Sequence, residues 1–452
     1  MKRIHFIAIG GAVMHQLALA LQRQGYTVTG SDDEISDPAK GNLAAAGLLP
    51  AAMGWFPERI SADLDAVVLG MHAKAGNPEL VAAQALHIPV YSFPEYIYKV
   101  SSGKQRVVIA GSHGKTTITS MIMHVLRLQG MDFNYLVGAK VPGFDESVRL
   151  SDAPLILLEG DEYPASVVEP RPKICFYHPH ISVLSGIAWD HINVFPTYEN
   201  YCSQFADYLH GMAPGSLLFY NDEDPEVRRI TAAAGGHLKA VPYRMPAYHY
   251  ESGAAVLDTA EGPVPVSVFG SHNLLNMQAA LAVCVALGVT EADFYKAIAS
   301  FRGAARRLEQ LPAREGLVAF RDFAHAPSKL KATLTAVREA YPQHELVACF
   351  ELHTYSSLSA AFLDEYAHSM DAADRAAVFF SHHALALKGL PALDGDEVRR
   401  RFARGDLAVA DEPAALTAWV RAQIAQAARP VCLLLMSSGT FDGIDWNNVA
   451  SQ

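Results

Sequence analysis

Short apolar runs alternate with amphipathic stretches along most of the chain. Ile4 to Ile9 is an apolar run interrupted only by His5 and predicts a buried strand. Met14 to Gln24 has the three-to-four-residue spacing of a helix, with Gly25 as its stop. Tyr26 to Gly30, Ala66 to Gly70 and Pro89 to Ser92 read as further strands, and Lys99 to Gln105 as a polar linker. A second unit opens with strand Arg106 to Ala110 and continues through Leu155 to Glu159, a strand near Ile181 to Ser185, and Ser216 to Asn221. Two short β-type segments within Ala254 to Phe269 predict an antiparallel appendage, and a helix from Asn273 to Leu287 closes the unit. A third alternating unit starts near Gly303, with strands Leu317 to Phe323, Glu345 to Glu351, Ala376 to Phe380 and Val431 to Met436, and a helix from Ser328. Strands alternating with helices predict parallel, doubly wound sheets. The expected fold is α/β in three domains, residues 1–104, 105–302 and 303–452.

The 452 residues are half hydrophobic and 18% charged, enough apolar surface for sizeable cores. The net charge of -11 argues against nonspecific binding to nucleic acid or to an anionic membrane. It leaves room for an anionic ligand held by backbone N–H groups and a metal ion. The five cysteines are odd in number, far apart and without a CxxC pair, which fits a reducing compartment rather than a disulfide framework or zinc site. The apolar start reads as a strand and not a leader, because His5 breaks it and a helical segment follows at once. The most apolar helical stretch, Met277 to Val289, is too short to span a bilayer, so a cytoplasmic protein without membrane insertion is expected. No sequence feature specifies an oligomeric state.

Val107 to Leu126, VVIAGSHGKTTITSMIMHVL, carries the strongest local signal. A hydrophobic strand runs into a glycine-containing turn (Gly111, Ser112, His113, Gly114), then Lys115, Thr116 and Thr117, then an amphipathic helix. Phosphates bind in such places because the backbone N–H groups and the helix N-terminus face them. Lys115 can reach the β- and γ-phosphates and the Thr116 hydroxyl can ligate Mg²⁺. Ile109 stands where the broad motif has its first glycine. Glu159, at the end of its strand, faces the crevice side of an open α/β sheet and suits a hard cation. Asp161 and Glu162 follow it and read as solvated loop acids. Asp190 and His191 lie just past the next strand. His191 is either a second Mg²⁺ ligand, an orienter of a ligand carboxylate, or an ordinary loop histidine. In the first unit, Gly10 and Gly11 form a degenerate glycine turn without GxGxxG, and Asp32 ends the second strand where a ribose-binding acid often sits. Asn273 and Asn276 share a helix face and read as adenine contacts or as caps. Arg306, Arg307 and Glu309 offer a phosphate clamp or a surface ion pair. Asp322, His325 and Lys329 sit at a strand end beside Pro327.

In this order GSHGKTT, LEGDE, WDH, HNLLN, RRLE and DFAHAP resemble the Mur ligase family over nearly the whole chain. The resemblance implies a Rossmann-like N-terminal domain, a central P-loop ATPase-type parallel sheet with the small antiparallel appendage, and a Rossmann-like C-terminal domain. It implies an ATP- and Mg²⁺-dependent ligase that joins a carboxylate to an amine in cell-wall precursor assembly. Residue by residue it implies phosphate binding by Lys115, magnesium at Thr116 and Glu159, a second magnesium at His191, adenine contacts at Asn273 and Asn276, terminal-phosphate contact by Arg307, and nucleotide contact by Asp322 with His325 beside it. The first domain would hold the UDP moiety through Gly10, Gly11 and Asp32 and the loop at His72.

The turn after the second strand, HAKAGNPEL (His72 to Leu80) and MSSGTFDGI (Met436 to Ile444) resemble the branch that accepts UDP-N-acetylmuramate. Within it the nearer likeness is to ligases that attach L-alanyl-γ-D-glutamyl-meso-diaminopimelate, and the next is to those that attach L-alanine. ELHTYSSLS, Glu351 to Ser359, leans toward the alanine-adding group, and Ala326 stands where a second histidine is usual. The implied reaction makes an acyl phosphate from the lactyl carboxylate, which the amine then attacks, giving ADP and phosphate. Two other classes stand beside this one. A nicotinamide oxidoreductase is disfavoured by the missing GxGxxG. An NTP-dependent switch or binding module would hydrolyse ATP without a muramyl donor.

Overall fold

The computed structural model describes residues 2–166, 168–189, 192, 194–251, 254–260, 262–303 and 307–451. The chain packs into two compact units, one formed by Met1–Ile187, Cys202–Tyr243 and Ala282–Leu287, the other by Ala188–Tyr201, Arg244–Leu281 and Gly288–Gln452.

The first unit contains two main sheets. One has four parallel strands, in the order Thr27–Ser31, Arg3–Ile7, Ala66–Leu69, Val90–Ser92. Ile7, Val67, Leu69, Leu80 and Ala83 form the core beneath it. The helices that cover it carry local start signals. Asn77 caps Pro78–Ala85 by accepting from the Glu79 and Leu80 N–H groups at 2.9 and 3.2 Å, and Pro78 occupies the first turn. Ser92 and Glu95 form a capping box at Phe93–Ser101. His5, the polar interruption of the first strand, is fully buried and satisfied: its ring meets Thr29 Oγ1 at 2.8 Å and Glu79 Oε2 at 3.2 Å.

The expected polar linker is shorter and firmer than its composition suggests. The Phe93–Ser101 helix takes its first part, and a strand begins at Gln105. The Arg106 guanidinium, nearly buried, donates to the carbonyls of Ser101, Ser102 and Lys104 at 2.9, 3.1 and 3.1 Å and to that of Tyr177 at 2.9 Å. One side chain thus satisfies carbonyls that a free linker would leave to water.

The second sheet has seven strands, in the order Lys239–Tyr243, Leu217–Asn221, Ile181–Leu184, Gln105–Ala110, Leu155–Glu159, Asn134–Leu136, Val148–Arg149. All pairs are parallel except the last. Chain order reverses at Gln105–Ala110: the strands that follow it directly lie on one side, and those from Ile181 onward lie on the other. Such a switch point opens a ligand crevice at the C-terminal strand ends.

In the second unit the appendage is a three-stranded antiparallel sheet, Tyr248–Glu251, Ala254–Thr259 and Gly262–Val266, one strand more than expected. A six-stranded sheet follows, in the order Glu309–Leu311, Leu317–Asp322, Val431–Met436, Glu345–Leu352, Arg375–Phe380, Ala408–Ala410, with only the first strand antiparallel. Val347, Cys349, Phe379, Leu433, Leu435 and Trp446 fill its core. Among the described residues no helix is long and apolar enough to cross a membrane.

Candidate active site

The Gln105–Ala110 strand ends in a four-residue turn before the helix Lys115–Leu128. Ile109 lies inside the strand, fully buried and paired with both Val183 and Glu159. The broad motif's first glycine therefore has no turn to make here. The turn needs its other two. Gly111 has φ +127 and Gly114, which caps the helix, has φ +80. A Cβ on Gly111 would meet the Ser185 hydroxyl and stand 3.0 Å from the N atoms of Ser185 and Gly186. The turn is fastened to the end of the neighbouring strand: Ser112 N–H donates to Gly186 O at 2.9 Å, and Ser185 Oγ donates to the carbonyls of His113 and of Ala110. Gly186 leaves room for the His113 ring, which a Cβ there would strike. Asn221 and Asp224 brace that strand end from behind, by Nδ2 to Ser185 O at 3.0 Å and by Oδ2 to Ile187 N–H at 2.9 Å. Ser185, Gly186, Asn221 and Asp224 carry no motif signal in the sequence, because they act through the backbone of another segment. Since Gly114 brings no side chain to the N-cap, the first-turn N–H groups at Lys115, Thr116 and Thr117 are left to a ligand.

Lys115 donates to Gly111 O at 2.5 Å and to Glu162 Oε2 at 2.8 Å. Glu162, expected as a solvated loop acid, is instead 1% exposed. Its burial is a correction with a clear cause: an ammonium drawn down onto the turn needs a counter-charge beside it. Burial pushes the Lys115 pKa down, but Glu162, Asp161 and Glu159 outweigh it and hold the group above the ordinary lysine value. Asp161 is paired with Lys173 at 2.7 Å. Burial raises its pKa, Lys173 and Lys115 lower it further, and the net shift is downward.

Glu159 ends its strand, buried, and accepts from the Gly138 N–H. It is a hard oxygen donor one strand away from the turn, and the Thr116 hydroxyl is another. Among the described residues no three His, Cys, Asp or Glu side chains gather to hold a metal alone. Two such oxygens are a donor set that suits Mg²⁺, which takes one or two protein oxygens and completes its shell with phosphate and water. His191, Asp190 and Arg306 lie outside the described residues.

In the four-stranded sheet, three strand ends carry the expected UDP-sugar residues. Gly10 and Gly11 follow Arg3–Ile7, Asp32 follows Thr27–Ser31, and exposed His72 lies in the turn after Ala66–Leu69. Asp32 Oδ2 accepts the Gly10 N–H at 2.7 Å, and a Cβ on Gly10 would come within 2.9 Å of that oxygen. Burial, assisted by Asp33 and opposed by backbone N–H groups, raises the Asp32 pKa. The carboxylate therefore holds the glycine turn in shape.

In the second unit, Asn273 Nδ2 donates to Phe269 O at 3.0 Å, a helix-end contact, while Asn276 is buried on the same helix. Asp322 is a bracket: it accepts from the N–H groups of Leu308 and Ala324, both at 2.8 Å, and from Thr333 Oγ1 at 3.2 Å. The Arg307 guanidinium lies over the Phe323 ring, 4.5 Å from its centroid. His325 Nδ1 meets Phe323 O at 2.9 Å, and its Nε2 is 3.4 Å from Lys329 Nζ. Glu309 pairs with Arg321 at 3.0 Å.

Two family models match the chain: "Mur ligase family, catalytic domain" over residues 3–105 and "Mur ligase middle domain" over residues 109–284. A UDP-N-acetylmuramate–L-alanine ligase from Arthrobacter sp. (strain FB24) is 31% identical over 436 residues, 94% of this chain and 90% of the relative. The chain belongs to the Mur ligase family. It is an ATP-dependent, amide-bond-forming ligase. Among solved structures, the UDP-N-acetylmuramate:L-alanyl-γ-D-glutamyl-meso-diaminopimelate ligase from Neisseria meningitides is 26% identical, covering 67% of this chain and 98% of that one, with a TM-score of 0.60. A UDP-N-acetylmuramate–alanine ligase from Thermotoga maritima shares the Mur ligase fold, with a TM-score of 0.70 at 20% identity over 98% of this chain and 97% of that one.

Proposed function

We propose that this Mur ligase activates the lactyl carboxylate of UDP-N-acetylmuramate with ATP and joins it to the amine of L-alanyl-γ-D-glutamyl-meso-diaminopimelate in peptidoglycan precursor assembly, in the cytoplasm. The observation that carries the ATP step is the glycine turn at the sheet's switch point, with Lys115 held on it. A carboxylate is a poor electrophile at neutral pH, and transfer of the γ-phosphoryl group makes it a good one. Most of the catalysis of phosphoryl transfer is positioning and charge neutralisation. The N–H groups of the turn orient the β- and γ-phosphates, and Lys115 neutralises charge on the transferring group. By the family resemblance, Arg307 would supply a second cation, and Asn273, Asn276, Asp322 and His325 would be the residues that contact the nucleotide. Thr116 and Glu159, with His191, would hold magnesium, which supplies charge screening of the triphosphate when bound. The UDP moiety is read by the Gly10–Gly11 turn that Asp32 shapes, with His72 at its side. The working boundaries of the three domains are residues 104 and 302.

The 26% identity to the solved tripeptide ligase supports the tripeptide as acceptor. Glu351–Ser359, and the 31% identity to the Arthrobacter enzyme, support L-alanine as a second reading. The deciding experiment supplies ATP, Mg²⁺ and UDP-N-acetylmuramate and compares phosphate release with each amine. Release dependent on the tripeptide supports the first reading, release dependent on L-alanine the second. ATP hydrolysis indifferent to the muramyl donor overturns both.

A further inference from the structure

The helix Gly395–Arg401 and the turn after it form an open concavity of about 390 Å³, away from the turns and strand ends described above. It is lined by Arg399, Arg400 and Arg404, with Asp396, Ala403 and Gly405. The volume lies in the range that small ligands occupy, and the arginines suit an anion.

The backbone gathers the three guanidinium groups. Ala403 is left-handed (φ +52), and the helix closes on it with a pair of reversed bonds: Ala403 N–H donates to Arg400 O at 3.0 Å, and Arg404 N–H to Arg399 O at 3.5 Å. This pairing turns the chain back over the last helical turn and sets Arg404 beside Arg399 and Arg400. Glycine is the usual residue at such a position, and alanine holds it here despite its Cβ.

Arg404 is a fixed wall. With 11% of its side chain exposed, it pairs with Asp406 at 2.8 Å and donates to the carbonyls of Met370, Ala373 and Asp374, the last two at 2.9 and 3.4 Å. Arg399 is held through Nε, which donates to Leu407 O at 2.9 Å, and through Nη1, which donates to Asp396. Arg401 is taken up by Asp364 and Glu397. Arg400 is exposed, and among the described residues no carboxylate pairs with it. Two oriented guanidinium groups and one unpaired cation therefore share a space, on a chain whose net charge is -11. Like charges so gathered repel one another, and a bound oxyanion relieves this with bidentate, charge-assisted hydrogen bonds.

The concavity lies where the strands start. Met370, Ala373 and Asp374 precede the strand Arg375–Phe380, and Gly405 precedes Ala408–Ala410. Open α/β sheets take their substrates at the opposite, C-terminal edge. We propose that Arg399, Arg400 and Arg404 form an anion site on the back edge of this sheet that takes a phosphate group. Asp396 already offers Arg399 a single negative charge, so a ligand that displaces it carries more, as phosphate does at neutral pH. Free phosphate and a small phosphate ester share this chemistry.

The test uses the whole enzyme with its arginines labelled with heavy nitrogen and its phosphate turn filled by a non-hydrolysable ATP analogue. Inorganic phosphate and glycerol phosphate are titrated in turn, at an ionic strength held constant with chloride, and the arginine Nε–H signals are followed by NMR. The signals lost in Arg399→Gln and Arg400→Gln identify the two residues. Both signals should shift saturably, with a dissociation constant of about 1 mM or lower, and the tighter ligand identifies the source. Arg400→Gln should weaken binding about tenfold, the worth of one charge-assisted contact. Asp396→Asn removes the competing carboxylate and should tighten binding. A loss in one variant and a gain in the other cannot come from misfolding. Shifts that do not saturate, shifts that chloride alone reproduces, or an affinity unchanged in either variant would overturn the inference.

Discussion

Lys115 Nζ and Glu162 Oε2 stand 2.8 Å apart, with 19% and 2% of the two side chains exposed. Lys115 therefore has a buried counter-charge within the fold, which a triphosphate bound at the turn as proposed would share or replace. Removing one member of a buried pair leaves the other charge uncompensated. Glu162→Gln should cost about 2 kcal/mol in the nucleotide-free enzyme, at the low side for a buried pair because Lys115 keeps some solvent. A bound triphosphate restores a counter-charge, so a non-hydrolysable ATP analogue should raise Tm more in the variant than in the wild type. Calorimetry with and without the analogue measures this, and equal shifts in the two proteins would contradict it.

Gly111 tests the turn by shape rather than charge. Its φ of +127 disfavours any side chain, and a Cβ would run into Ser185. Gly111→Ala should raise KM for ATP at least tenfold, because small displacements of the groups that position a substrate are costly. KM for UDP-N-acetylmuramate should stay near its wild-type value. Steady-state kinetics with each substrate varied in turn checks both, and an unchanged KM for ATP would remove the turn from nucleotide binding.

Asp32 makes the complementary case. Its hydrogen bond to the Gly10 N–H shapes the turn at the end of the first strand. Asp32→Ala should weaken UDP-N-acetylmuramate binding about tenfold, the worth of one charge-assisted hydrogen bond lost from a partly buried site. ATP binding should not move. Titration calorimetry with the two ligands separately distinguishes this from general destabilisation, which would weaken both.

Much of this arrangement is visible in the chain because its signals are local. The phosphate turn, the strand before it and the helix after it occupy consecutive residues, so Gly111 to Thr117 can be recognised by order alone. Strand ends bearing Glu159 and Asp322 follow from apolar runs that stop at an acid. Partners distant in sequence cannot be recognised this way. Glu162 looks like a loop acid until the fold brings Lys115 over it. Arg106 turns a polar linker into a fixed connection by reaching five residues back and 71 forward. Asp32 looks like a ribose ligand from spacing, yet the backbone N–H it holds lies 22 residues earlier. Glu351 and His353 are two residues apart and on one strand end, but their pairing depends on a loop 86 to 90 residues later.

Glu351 also carries an acid signature. Burial raises its pKa, but His353, Ser437 and the Phe441 N–H lower it further, so the folded value lies below the unfolded one. Its stabilising contribution is therefore present above the unfolded pKa of about 4.3 and is lost as pH falls through the folded value. Denaturant titrations of the wild type and Glu351→Gln from about pH 6 down to about pH 3 should show the wild type losing its advantage in that window. Parallel pH dependences would show that Glu351 titrates alike in both states.

The proposed acyl phosphate requires ATP to phosphorylate the muramyl carboxylate before the amine attacks it. UDP-N-acetylmuramate carrying heavy oxygen in that carboxylate, turned over with ATP, Mg²⁺ and the accepted amine, reveals this step when the released phosphate is analysed by mass spectrometry. An acyl phosphate requires one labelled oxygen to leave with phosphate in each turnover. Phosphate released without label would contradict the account.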